Sequence, residues 1–360
     1  MTEADHAAKA RCTRFLSHHL PVDPRTTLQR LAAHPAAEAH ADVYGEGGAV
    51  ELLERRTIDL LGKPAGRFFI KGVTAQLCVL NAYAEARGTR NVVVHPMSHL
   101  DQDERNAIER VGNLNAVRLG RHAPFGVEEL RRVTEPLAAV VVELPLRRAG
   151  YLLPDFDELV AISRWCRDAR IPLHFDGARI WEAAAGYAVP LDTLAALADS
   201  LYVSFYKGLG GLGGALVAAS SAFITSLAPW KTRFGGDLYT AYPQAISALI
   251  GLDTQLPRMG KYVERARALA SALDGVPGLI LQPPAPGTNA FQLWMPGAPG
   301  ELAKRHRSFA LAQKTWLFGA FQPTALAGHS LAEIVIGDAS DHYPIDSVPG
   351  WIEAFLAYRA

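Results

Sequence analysis

One lysine stands where a run of strand-forming residues gives way to glycine: Leu201-Tyr-Val-Ser-Phe-Tyr-Lys207-Gly-Leu-Gly-Gly-Leu-Gly-Gly214. A buried strand that delivers an ammonium group into a poorly solvated loop disfavours the charged form. The pKa then falls toward that of a nucleophilic amine able to form a Schiff base with a carbonyl. The glycines let backbone approach a flat ligand closely. The same residues also suit a tight strand-to-strand turn with Lys207 in solvent. Gly208, Gly210 and Gly213 match the Gly-x-Gly-x-x-Gly spacing of nicotinamide dinucleotide folds. That fingerprint opens a helix whose N-terminus meets a pyrophosphate, whereas Gly214-Ala-Leu-Val-Ala-Ala219 reads as a strand.

Upstream, His174-Phe-Asp176-Gly-Ala-Arg179 places a carboxylate and a guanidinium where a strand ends, the edge at which open α/β sheets collect ligands. Asp176 there either keeps a heterocyclic nitrogen protonated through a charge-assisted hydrogen bond of about 1.5–3 kcal/mol or forms an internal ion pair with Arg179. Phe69-Ile-Lys71-Gly72-Val73-Thr74 runs into a long apolar segment. Its helix N-terminus, the Lys71 charge and the Thr74 hydroxyl suit an anion, or are ordinary first-turn residues. His95 and His99 have a helical metal-ligand spacing, but Pro96 between them opposes a helix, and no metal is expected. His99 suits either a place against a planar ring or a hydrogen-bonded loop. No Gly-x-Ser-x-Gly elbow supports a serine hydrolase.

These residues need a sheet to carry them. Short apolar runs at 91–95, 138–143, 172–176 and 201–205 alternate with helical patterns, of which 155–170 is the clearest crossover; this predicts α/β with a parallel sheet. Beyond it, a charged helix over 261–273, extended pieces at 289–295 and 331–336 and a closing helix over 351–358 predict a second, smaller α/β domain. The expected division is an N-terminal segment 1–40, a large domain 41–250 and a small C-terminal domain 251–360. The chain has 360 residues, 49% of them apolar, and its 36 basic residues equal its 36 acidic ones. Neutrality argues against nucleic acid or an anionic membrane as partner. With no apolar run of about 18 residues, no leader-like N-terminus and three scattered cysteines, the expectation is a cytoplasmic protein.

In order, these segments resemble the threonine aldolase and β-eliminating lyase group of fold type I pyridoxal-phosphate enzymes. Asp42-Val-Tyr-Gly45-Glu46 resembles the family's early Tyr-Gly segment, the loop at Gly72 its phosphate cup and His174 to Arg179 its His-x-Asp-Gly-Ala-Arg. Tyr206-Lys207-Gly-Leu-Gly is similar to its Schiff-base segment, His99 to its ring-stacking histidine and Phe234-Gly-Gly236 to its paired glycines. The resemblance implies a large domain with a mainly parallel seven-stranded sheet, a smaller C-terminal α/β domain and a homodimer or homotetramer. It implies pyridoxal 5'-phosphate anchored on Lys207, with Asp176 at the ring nitrogen and Lys71, Gly72 and Val73 at the phosphate. Arg179 would hold the carboxylate of an amino-acid substrate, alone or with Arg147 or Arg148, and Ser17 would lie near it.

The implied activity is Cα–Cβ cleavage or formation, a β-hydroxy amino acid giving glycine and an aldehyde. The alternatives are β-elimination or another transformation of a non-threonine amino acid and, outside the family, a nicotinamide oxidoreductase or a pseudoenzyme. Four positions depart from the family pattern: Lys71-Gly72-Val73 for Ser-Gly-Thr, Leu146 for a histidine beside the substrate hydroxyl, Tyr239 for an arginine reaching the phosphate, and Glu333 for a carboxylate-binding arginine. Glu333 would suit a cationic group on a different amino acid.

Overall fold

The computed structural model describes residues 2–359. Its larger unit, Val22–Pro257, is built on strands β1 (Ala65–Phe69), β2 (Asn91–Val94), β3 (Asn115–Arg118), β4 (Ala139–Glu143), β5 (Leu173–Gly177), β6 (Ser200–Ser204) and β7 (Ala215–Ala219). They form one sheet in the order β1-β7-β6-β5-β4-β2-β3. Only β7 runs against its neighbours, giving the mainly parallel seven-stranded sheet that the resemblance implies. Every residue of β4, β5, β6 and β7 is buried, which is why these strands are continuous apolar runs rather than alternating ones.

The four expected strands appear within one residue of their anticipated ends. The crossover helix is Phe156–Asp168, started by Asp155, whose carboxylate accepts from the N–H groups of Asp157 and Glu158. Ala65–Phe69 and Asn115–Arg118 escaped notice because they are edge strands, half-buried and mixed in composition. The glycine motif after Lys207 opens no helix. Gly214 leads directly into β7, so the dinucleotide fingerprint is a coincidence of spacing.

The smaller unit joins Met1–Pro21 to Arg258–Ala360. The expected 1–40 segment is therefore divided between the two units, because Arg14–Phe15 pairs in parallel with Thr315–Trp316. The expected boundary after Ile250 moves to Pro257, since the helix Tyr242–Thr254 runs through it unbroken. A four-stranded antiparallel sheet orders Gln322–Pro323, His329–Val335, Ala290–Pro296 and Ile280–Gln282, beside helices Met259–Leu273, Pro299–Gln313 and Val348–Ala357. Among the described residues no helix is long and apolar enough to cross a membrane.

Candidate active site

The chemistry-bearing residues of the larger unit lie at or just beyond the C-terminal ends of its parallel strands. Asp176 is the fourth residue of β5 and 2% exposed, opposite Glu143 on β4 and Tyr202 on β6. Its Oδ1 accepts from the Ala178 N–H at 3.3 Å. Lys207 follows β6 by three residues, in a loop closed by Gly211 N–H donating to the Phe205 carbonyl at 2.8 Å. Burial and the neighbouring Arg179 guanidinium pull the Lys207 amine down to about 8, against the opposing pull of Asp176 and Glu143. A much larger fraction of this lysine is the free base at neutral pH than of an exposed one.

His99 opens a one-turn helix, His99–Gln102, after the Ser98 cap. Two carboxylates hold it. Glu143 Oε2 accepts its backbone N–H at 2.6 Å, and Glu104 Oε1 lies 2.9 Å from Nδ1. The hydrogen bond to Glu104 raises the imidazole pKa against the effect of burial, with Asp176 adding to the rise and Lys207 opposing it. Glu143 also accepts the Arg147 N–H at 3.1 Å. Burial and the nearby Asp176 push its carboxyl up to about 7.

The Gly72–Arg87 helix begins at Lys71 with no side chain capping its first N–H groups, the arrangement that favours an anion. Gly72 is buried, and a Cβ there would collide with the Tyr202 hydroxyl. Lys71 Nζ donates to the Tyr206 hydroxyl at 3.4 Å and lies 5.0 Å from that ring's centre, which ties the helix start to the residue before Lys207. Arg179 precedes the helix Ile180–Tyr187, its guanidinium 5.2 Å from the ring centre of buried Tyr151. This donor set fits pyridoxal phosphate: a depressed lysine amine, a buried carboxylate at a strand end, an imidazole and an uncapped helix start reached through glycine.

Several expected residues serve other contacts. Arg148 makes a two-pronged pair with Asp103, which also draws Arg147 to 3.7 Å, so Arg148 is committed within the protein. Leu146 is 2% exposed and bonded by its backbone to Leu152. His95 accepts from the Met97 N–H and donates to the Ala123 carbonyl. His174 donates from Nε2 to Gln76 and accepts at Nδ1 from Ser200, both at 2.7 Å. Asp42 accepts from the N–H groups of Ala241 and Tyr242, capping a helix two hundred residues away in sequence. Tyr239 is 66% exposed and meets Tyr44 edge to face, which brings the Tyr-Gly and Gly-Gly segments together. Gly236 packs on Thr74 and Lys231.

Within the smaller unit, the Ser17 hydroxyl donates to the Val335 carbonyl and accepts from its N–H. Glu333 lies in the strand His329–Val335 opposite Gln292. Glu104 and the clamping role of Glu143 went unread in the sequence. Their signal, a carboxylate five residues after a histidine and another ending a strand, matches no helical or strand period.

A low-specificity L-threonine aldolase of Escherichia coli K12 is 26% identical over 264 residues, covering 69% of this chain and 75% of its own. A probable low-specificity L-threonine aldolase of Arabidopsis thaliana is 24% identical over 288 residues, covering 76% and 80%. Among solved structures, a Listeria monocytogenes protein provisionally described as an L-allo-threonine aldolase superposes with a TM-score of 0.91. It is 30% identical over 98% of this chain and 99% of its own. An Exiguobacterium protein provisionally described as an aromatic amino acid β-eliminating lyase or threonine aldolase matches equally well, at 0.91 and 30% over 99% and 100%. The family model for β-eliminating lyases matches residues 25–294. The chain therefore belongs to the β-eliminating lyase family and is a pyridoxal-phosphate-dependent, threonine-aldolase-like lyase acting on an amino acid.

Proposed function

We propose that this enzyme breaks or forms the Cα–Cβ bond of a β-hydroxy amino acid, linking it to glycine and an aldehyde. The observation that carries this reading is Lys207, in the loop just after β6, with Arg179, Asp176 and Glu143 close enough to act on its amine, which is pulled down to about 8. Bound pyridoxal phosphate supplies a protonated ring that takes up the electron pair released by the broken bond. Lys207 is the covalent anchor, and its lowered pKa keeps enough free amine to exchange with an incoming substrate amine. Asp176 holds the proton on the ring nitrogen. His99 would lie against the ring face, while Lys71, Val73 and the close approach at Gly72 would receive the phosphate. Arg179, steadied by the Tyr151 ring, takes the substrate carboxylate, and Ser17 and Glu333, in the smaller unit, bind substrate by the same reading. Ser17 must exchange its present bond to Val335 to do so.

A homodimer or homotetramer in the cytoplasm agrees with the family resemblance and with three unpaired cysteines. β-Elimination is the second reading, favoured by the buried Leu146 where a histidine beside a substrate hydroxyl is expected. The test has two parts. The purified protein should carry a visible carbonyl–lysine chromophore that borohydride removes and that is missing in Lys207→Ala, together with all turnover. A screen of β-hydroxy amino acids should then release glycine and aldehyde. An α-keto acid with ammonia selects elimination, and a Lys207→Ala protein that keeps both colour and turnover sinks the assignment of the anchor.

A further inference from the structure

The helix that follows Arg179 meets the strand and loop around Lys207 at two points, and one of them is a group with no task in the reading above. In the first turn of Ile180–Tyr187, Trp181 Nε1 donates to the carbonyl of Ser204, the last residue of β6, at 3.2 Å. Next to it, Glu182 is 0% exposed. Its carboxylate lies against Gly208, the residue after Lys207: a Cβ on Gly208 would sit 2.7 Å from the Glu182 Cδ and collide with Oε1. Another side of the loop rests on the helix Tyr242–Thr254, where Ser247 Oγ accepts from the Leu212 N–H at 2.8 Å and Gly251 lets the Leu209 backbone approach. Within the loop, the Gly210 N–H donates to the Lys207 carbonyl and the Gly211 N–H to that of Phe205. A fully buried carboxylate is costly, and an apolar residue of the same volume often packs as well or better. An acid in this place serves geometry rather than stability.

We propose, resting on the reading of Lys207 as the cofactor's anchor, that Glu182 is a positioning residue whose carboxylate receives the backbone at the start of the anchor loop and so fixes the direction in which the Lys207 side chain leaves it. An ionised carboxylate offers only acceptors, so against backbone its counterpart is the N–H edge of the loop. Trp181 fixes the end of β6 and Glu182 the residue beyond the lysine, and one helical turn thereby holds Lys207 from both sides. That turn begins at Arg179, which keeps the anchor and the group proposed for the substrate carboxylate at one separation. An amine must meet an aldehyde carbon along a narrow approach, and a misplacement of about 1 Å can cost about 100-fold in rate. Gly208 belongs to the same arrangement, since any side chain there would drive the carboxylate off the loop. This gives that glycine a use which the dinucleotide spacing does not.

The experiment mixes cofactor-free protein with pyridoxal 5'-phosphate and follows, by stopped-flow absorbance, the carbonyl–lysine linkage that forms as the amine adds to the aldehyde and water leaves. Borohydride trapping and peptide mass analysis identify the lysine that carries it, and thermal unfolding is measured beside it. Glu182→Leu should melt at or above the wild-type temperature, yet at saturating cofactor it should form the linkage about tenfold more slowly or worse. Glu182→Gln, which keeps the shape and one acceptor oxygen, should recover most of the rate. Gly208→Ala displaces the carboxylate without removing it and should slow the step in the same way, which keeps the test open if Glu182→Leu fails to fold. The double variant should be no slower than either single one. A wild-type rate in Glu182→Leu or Gly208→Ala, a Glu182→Gln protein as slow as Glu182→Leu, or additive losses in the double variant would overturn the proposal. A trapped linkage on another lysine in the wild type fells the anchor reading and the proposal with it, whereas a linkage on Lys207 that forms equally fast in every variant removes the proposal alone.

Discussion

The two units bury histidine to opposite effect. In the smaller unit His306 sits among Trp316, Phe318, Phe321 and Phe355, and its Nε2 accepts from the N–H groups of Leu317 and Phe318. Burial with no strong counter-charge pushes its pKa down to about 4, so it is a neutral packing element that satisfies two backbone donors. In the larger unit His99 is also largely enclosed, yet its pKa rises because a carboxylate contacts the ring. Burial alone thus makes an imidazole inert, whereas burial beside a carboxylate makes it a stronger base. The same contrast holds within the larger unit: His174, sealed among Gln76, Ser200 and the sheet, is pushed down to about 3, while two residues on, towards the end of the same strand, Asp176 stands opposite Glu143 and Tyr202.

The sharpest way to break this contrast is at the strand ends. Asp176→Asn exchanges a charge-assisted hydrogen bond for a neutral one, so kcat/KM should fall by about 10- to 100-fold, in line with about 1.5–3 kcal/mol, with global unfolding little changed. A fall in thermal stability with kcat/KM preserved would place Asp176 among the packing residues instead. For His306 the sign follows from its depressed pKa. The folded state binds fewer protons than the unfolded one between about pH 6.5 and 4, so its contribution is complete above 6.5 and is lost as the pH falls toward 4. That span corresponds to about 3 kcal/mol, and His306→Gln should flatten the acid limb of the denaturant-midpoint profile. Turnover of the folded protein should not move, and a selective loss of activity would merge the two classes of histidine.

Gly72→Ala tests the anion site proposed for the larger unit. A methyl group pressed on the Tyr202 hydroxyl should cost about 1–3 kcal/mol, and it should appear first as weaker cofactor retention in dialysis. Unchanged retention would mean that the helix start shifts freely. The smallest effect is expected from Glu333→Gln, a few-fold rise in the substrate KM with kcat unchanged, measured under steady-state conditions. An unaltered KM would make Glu333 part of the framework, like His306.

Much of the frame is legible in the sequence. Ala139–Glu143, Leu173–Gly177 and Ser200–Ser204 are buried on both faces, so composition alone marks them. Asp176 and Lys207 stand out because a charged residue at the end of such a run is costly unless used. The edge strand Asn115–Arg118 has its outer residues exposed and carries no such mark. The domain division expected at residue 250 falls inside the helix Tyr242–Thr254, where Gly251 is no break but packs close against the Leu209 backbone.

Sequence by itself therefore determined the sheet class and singled out Lys207, Asp176 and Gly72 as the candidates for chemistry, since each depends on residue type and its place relative to a strand. Tertiary structure alone decided which groups hold these residues in working order. Asp42 reaches the start of the Tyr242–Thr254 helix, Lys71 finds Tyr206, Arg148 is taken up by Asp103, and Glu104 and Glu143 converge on His99. Such pairings obey no local period. They arise when packed strands bring distant loops to one edge of the sheet, where low polarity turns a few ångströms of proximity into changed proton affinity.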